Sequence, residues 1–124
     1  MGAATGAREP ARRRELSVVA AGFELDALLV MATVAPRDLV KTLMDIDWAP
    51  DTAGKVAQLD ERLVAVRAVE DAARERIVSS PELAGKPLPP VPPPAVMREF
   101  TLVMAARTAI EKLEATRAAL AKRI

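Results

Sequence analysis

Apolar positions along this chain recur at spacings of three and four, the pattern of helices that bury one face. The clearest run lies at 52–79, where Val56, Leu59, Leu63, Val66, Ala73 and Ile77 form one stripe and Glu70 interrupts it at an inward position. That pattern predicts a long helix with a coiled-coil-like seam. Asp51 or Thr52 can cap its start by accepting from free amides of the first turn. Gly54 falls early enough to be tolerated. Glu70 and Arg74 make a stabilising i,i+4 pair, and Arg67 and Asp71 the weaker reverse orientation.

A second long helix is predicted over 12–34, ended by Pro36, because the residue before a proline is pushed out of the α region. Leu16, Val18, Val19, Phe23, Leu25, Leu28, Leu29, Val30 and Met31 lie all round it. A helix apolar on every face is expected to be buried on every face. A 124-residue monomer has difficulty enclosing one completely. A short helix over 37–47 follows, with Leu39, Val40, Leu43, Met44 and Ile46 as its stripe, closed by Trp48, Ala49 and Pro50. The last helix is predicted over 94–123. Val96, Phe100, Val103, Ile110, Leu113 and Leu120 share its face, Met97 and Met104 flank it, and Pro94 suits its first turn.

Prolines at 87, 89, 90, 92, 93 and 94 break the helical pattern. They enforce an extended polyproline conformation that spans about 25 Å from Lys86 to Pro94 at roughly 3.1 Å per residue. The fold predicted is therefore all-α: a bundle of three long helices and one short helix with a proline-rich extended crossover. Residues 1–11 carry no periodic apolar position and are expected to form an N-terminal arm that is flexible or ordered by a partner. Residues 12–124 form a single helical domain that includes the proline-rich connector 79–94.

Composition narrows the chemistry sharply. The chain has no histidine, no cysteine and no tyrosine. That removes the imidazole base, the thiolate nucleophile and the usual zinc ligands. Aromatic residues make up 2% of the chain, so its core must be built from Leu, Val, Ala, Met and Ile. Net charge is +1, which gives no bulk electrostatic attraction to nucleic acid or to an anionic membrane. Arg12, Arg13 and Arg14 precede the apolar run 16–34 in the manner of a membrane anchor, but Glu24 and Asp26 fall in its middle. Each acid costs roughly 2.5–3.5 kcal/mol at a membrane centre, so no insertion is expected. The two acids point about 200° apart around a helix, so they form no acid/base pair. One is expected to be exposed and the other ion-paired with an arginine.

Two local charge excesses remain. Residues 1–14 hold Arg8, Arg12, Arg13 and Arg14 against Glu9, and residues 38–51 hold Asp38, Asp45, Asp47 and Asp51 against Lys41. The acidic segment reads as a docking site for a basic partner ahead of a hard-cation site. The basic segment reads as an arm that contacts phosphates or meets the acidic patch across a subunit interface. Trp48 reads as a local plug of the core, and as the best interface anchor in the chain if exposed. No glycine-rich phosphate loop, nucleophile elbow or zinc spacing is present. The proline run reads as a rigid connector ahead of a groove ligand.

These features predict a non-enzymatic structural or assembly subunit with no catalytic, metal or cofactor site. It would pack through apolar helix faces against copies of itself or a larger complex, such as a phage-type particle or a multi-subunit enzyme that it serves as an accessory chain. The candidate interface residues are Arg12, Arg13, Arg14, Phe23, Leu28, Trp48, Leu59, Leu63 and Val66. The alternative is a nucleic-acid-associated helical regulator that uses the arginine-rich N-terminus. The expected location is cytoplasmic or within an assembled particle.

Overall fold

A computed structural model describes residues 23–81, 83 and 92–124. The expected arm 1–11, residues 12–22 with Arg12, Arg13 and Arg14, and most of the proline-rich connector lie outside the described residues. The single helix expected over 12–34 is not continuous, because Glu24 is extended at φ −114° and ψ 115° and the helix begins only at Leu25. Among the described residues the regular structure is entirely helical: α1 (Leu25–Val34), α2 (Leu39–Met44), α3 (Thr52–Val78) and α4 (Met97–Ala121). A 3-10 turn at Pro36–Asp38 leads into α2, and another at Pro94–Val96 leads into α4.

The prolines and one aspartate set these boundaries. Ala35, held out of the α region by Pro36, adopts φ −147°, and α1 stops there. Pro36 and Pro94 each open a 3-10 turn, where the missing N–H removes no internal hydrogen bond. Asp51 sits extended before α3, and its Oδ2 accepts from the Gly54 N–H at 2.9 Å. Helix α2 ends at Met44, three residues short of the predicted boundary, because Asp45 turns extended at ψ 117°. The segment after it is held by α3 instead, as described below.

Helices α3 and α4 form an antiparallel hairpin that is the main contact of the bundle, and α1 and α2 pack mostly on α4. Arg67 pairs with Glu114 at 2.6 Å, Arg107 with Glu70 at 3.4 Å, and Arg117 with Asp60. The register that these pairs match places Val66 level with Leu113, Ala73 level with Ala106, and Ile77 level with Leu102. Leu59, Leu63, Val66, Ala73 and Ile77 are all buried, as the seam predicts, and Val56 is half-buried at its start. Ala65, Val69 and Ala72 are buried as well, so α3 is covered over a wider arc than its stripe implied.

The predicted face of α4 is met in part: Val96, Val103 and Leu113 are buried as expected, but the centre of the face is displaced. Leu102, Ala106, Ala109 and Leu113 are its centre, and Phe100, Ile110 and Leu120 pack at the margin. The reason is size: where two helices approach closely, alanines occupy the middle and larger side chains splay to the sides.

Glu70 resolves its own anomaly. Its carboxylate faces the edge of the seam, where it takes Arg74 at 2.8 Å on its own helix and Arg107 across the hairpin. Arg67 does not pair with Asp71 as expected but reaches across to Glu114. Asp26 is the paired acid of α1, 3.1 Å from Arg76, and Glu24 is exposed.

Helix α1 is not enclosed on every side. Leu25, Leu28, Leu29 and Ala32 are buried, and Val30 and Val34 are 55% and 75% exposed on the opposite face.

Leu63→Asp places an unpaired carboxylate in the middle of the seam, and it is expected to abolish cooperative folding. Truncating a buried leucine alone costs roughly 2–5 kcal/mol, and the charge adds to that. Arg67→Ala removes one exposed ion pair and should stay within about 0.5 kcal/mol of the parent. Thermal melting of the two variants side by side checks this, and equal melting temperatures would mean that the hairpin is held some other way.

Candidate interaction surface

The segment Asp45–Pro50 has no regular structure, yet its backbone is fixed from one side chain. Gln58, on the second turn of α3, accepts from the Ala49 N–H through Oε1 and donates to the Asp47 carbonyl through Nε2, both at 2.8 Å. A side-chain amide carries both a donor and an acceptor, so Gln58 bonds the segment on either side of Trp48. The indole is 44% exposed. Trp48 is therefore no core plug: the clamp orders its backbone and turns it to the surface.

Gly54 supports the same corner. A Cβ there would lie 2.9 Å from the Ala49 Cβ and 2.7 Å from Asp51 Oδ1. The position that the sequence marked as tolerant of glycine in fact needs it, because the loop and the Asp51 cap close over it. Around the loop, Asp45, Asp47 and Asp51 are all exposed, as is Asp38 further back. Asp51 caps α3, and Asp38 and Asp45 border a shallow groove shared with Lys41, Thr42 and Met31. Among the described residues no group of three or more such side chains is placed to hold a metal ion.

The other predicted interface residues are placed differently. Leu28, Leu59, Leu63 and Val66 are buried among the chain's own helices and leave no surface for a second chain. Their periodicity is that of a core, and a seam between chains has the same spacing. Phe23 is half-buried against the core, with the Arg62 guanidinium 4.9 Å above its ring. Such a cation–π contact contributes about 0.5–1 kcal/mol at a surface. Of the apolar residues that the sequence named as interface, only Trp48 stands open.

Two further surfaces emerge. Ala27, Val30 and Val34 form an exposed apolar stripe along α1. Met97 and Met104, also exposed, sit one either side of Thr101 on α4. An open groove of about 430 Å³ runs between these helices, lined by Ala32, Thr33, Pro94, Met97, Arg98 and Thr101 among others. By contrast, one edge of the α3–α4 hairpin is laced by ion pairs. There the Arg117 guanidinium donates to the Asp60 carboxylate, and that bond and the carboxylate's charge make the already strongly basic group more so.

One buried polar group is unexpected. Glu99 is 6% exposed, accepts from Arg98 Nε at 3.2 Å through Oε1, and leaves Oε2 without a hydrogen-bond partner. It lies in the first turn of α4, where the helix dipole favours a carboxylate. The sequence carried a signal for this position. Glu99 falls three residues after Val96 and four before Val103, on the inward face.

No family model, curated protein or solved structure matches this chain. Among the described residues no helix is long and apolar enough to cross a membrane.

Gln58→Ala removes both bonds to the loop. It should lower stability by about 1–3 kcal/mol and free Trp48, which fluorescence anisotropy would read as faster local motion. Gly54→Ala should also lower the melting temperature, although the same change in an ordinary helix interior gains roughly 0.5–1 kcal/mol. An increase would show that the loop has room to retreat.

Glu99→Met replaces a carboxylate that has one unpartnered oxygen with an apolar side chain of similar length. The variant is expected to be about 1 kcal/mol more stable. A fall in denaturant midpoint of that size would show that Oε2 is satisfied in solution.

Proposed function

We propose that this chain is a non-enzymatic assembly subunit that associates with copies of itself or with a larger protein complex through apolar surface on a helical bundle. The observation that carries this reading is the outward face of α1. Val30 and Val34 stand one helical turn apart on the side of α1 away from the core, with Ala27 extending the stripe. Single exposed apolar residues are ordinary on any surface, and a continuous stripe is not. Met97, which lines the groove between α1 and α4, and Met104, exposed two turns further along α4, add flexible apolar side chains suited to an adaptable contact. The absence of His, Cys and Tyr from the sequence agrees with a role that needs no general base or nucleophile.

Native mass at micromolar concentration tests the reading. The parent chain is expected to run as an oligomer by light scattering. Val30→Lys with Val34→Lys should reduce that mass without lowering helical content, because neither side chain is in the core. Val64→Lys, on the exposed face of α3, is the control and should leave the mass unchanged. A monodisperse parent monomer with cooperative melting would sink self-association.

A further inference from the structure

Trp48 is exposed on a loop whose backbone Gln58 fixes on both sides, so presenting the indole costs little further ordering. Asp45 and Asp47 flank it and are exposed. An aromatic face bordered by carboxylates has a defined complement. Guanidinium groups stack on indole and pair with carboxylates in the same plane, and they are more weakly hydrated than ammonium groups.

The chain carries that complement itself. Residues 8–14 hold four arginines against Glu9, and the rest of the sequence has no comparable basic run. The described chain begins at Phe23, which lies under Arg62 on α3. Arg62 is one helical turn, about 6 Å, along α3 from Gln58. The described chain therefore begins against the N-terminal half of α3, the half whose Gln58 holds the Trp48 loop. Where one chain carries both a donor segment and its acceptor, a two-fold axis between two copies satisfies both contacts at once, because each patch meets the other twice.

We infer that the Trp48 loop is the docking surface for the Arg8–Arg14 segment of a second copy of this chain, with arginine stacking on the indole and pairing with Asp45 and Asp47. This inference rests on the assembly reading and names one of its contacts.

Trp48 is the only tryptophan and the chain has no tyrosine, so its emission reports this loop alone. The receptor is the full chain carrying Arg12→Glu, Arg13→Glu and Arg14→Glu, and the probe is a synthetic peptide of residues 8–15. Saturable change in Trp48 emission is expected. A peptide with lysine at every arginine should bind at least several-fold more weakly. Adding Asp45→Asn and Asp47→Asn to the receptor should weaken binding at least tenfold, and high salt should weaken it too, because exposed charges are screened over about 8–10 Å at physiological ionic strength.

In the intact chain, the triple Glu variant and the Asp45→Lys/Asp47→Lys variant should each lose native mass. Combining the two sets should restore part of it, since the charges then match again with their signs exchanged while the guanidinium–indole stacking stays lost. Emission unchanged by the peptide, or no recovery in the combined variant, overturns the inference. Parent mass retained in both one-sided variants overturns it while leaving assembly through α1 standing. A monomeric parent overturns the assembly reading and this contact together. Retention of nucleic acid by the parent and not by the triple Glu variant, with Trp48 silent to the peptide, assigns the arginines to phosphate contacts and likewise overturns it.

Discussion

The close approach of α3 and α4 is the constraint on which the rest of this bundle depends. With 2% aromatic residues, the chain has few large side chains with which to fill a gap between helices. It closes the gap instead with small ones: Ala73, Ala106 and Ala109 lie buried between layers of Leu, Val and Ile. Each fully buried Leu, Val or Ile contributes roughly 1.5–3 kcal/mol. Exposed ion pairs contribute about 0–1 kcal/mol each. The buried layers therefore hold the hairpin, and the arginine–carboxylate pairs along its edge match the register those layers set. A shift by one turn would still bring apolar residues together, but it would separate Arg67 from Glu114 and Arg117 from Asp60.

The charged side chains divide by the same logic. Those at the edge of the hairpin find partners across it, including Glu70, which sits at an inward position of the stripe yet meets two arginines. Glu99 differs because it points further in and meets one. Its place in the first turn of α4 offsets part of the cost of burying it, through the amides and dipole of that helix. The result is a local weak point near the start of α4, beside the groove, within a bundle otherwise closed by apolar contact.

Three element boundaries were legible in the sequence because rigid residues set them, whereas the start of α1 at Leu25 and the end of α2 at Met44 were not. Pro36, Asp51 and Pro94 act through their own backbone or their own side chain, and each falls where a helix begins or ends. The inward face of α3 was legible for the same kind of reason: Leu59, Leu63, Val66 and Ile77 are large and regularly spaced. The face of α4 was only partly legible. Alanine is buried or exposed with nearly equal ease, so Ala106 and Ala109 carried no pattern that distinguished them from Ala118 and Ala119, which are exposed. Gln58 could not have been read at all. Its role is to hold Asp47 and Ala49, residues 11 and 9 positions away, and it exists only once the loop has folded back onto α3. The candidate interface suffered from a deeper ambiguity. A stripe at heptad-like spacing looks the same whether its partner is another part of the chain or another chain, and Leu59, Leu63 and Val66 met α4.

What that leaves outside is unevenly distributed, and the unevenness is informative. One edge of the α3–α4 hairpin is crossed by long charged side chains paired in place, and covering it would strip water from ions that already have partners. Desolvating such pairs costs more than their attraction returns unless the geometry is excellent. The outer face of α1 imposes no such cost, because Val30 and Val34 lose only unfavourable contact with water when covered. At the Trp48 loop the apolar part of the indole gains likewise, while its N–H and the carboxylates of Asp45 and Asp47 need an acceptor and a cation from whatever covers them. A second chain approaching this bundle therefore meets resistance along that edge of the hairpin, little along α1, and little at the loop where it brings those groups. That bias follows from burial and charge alone.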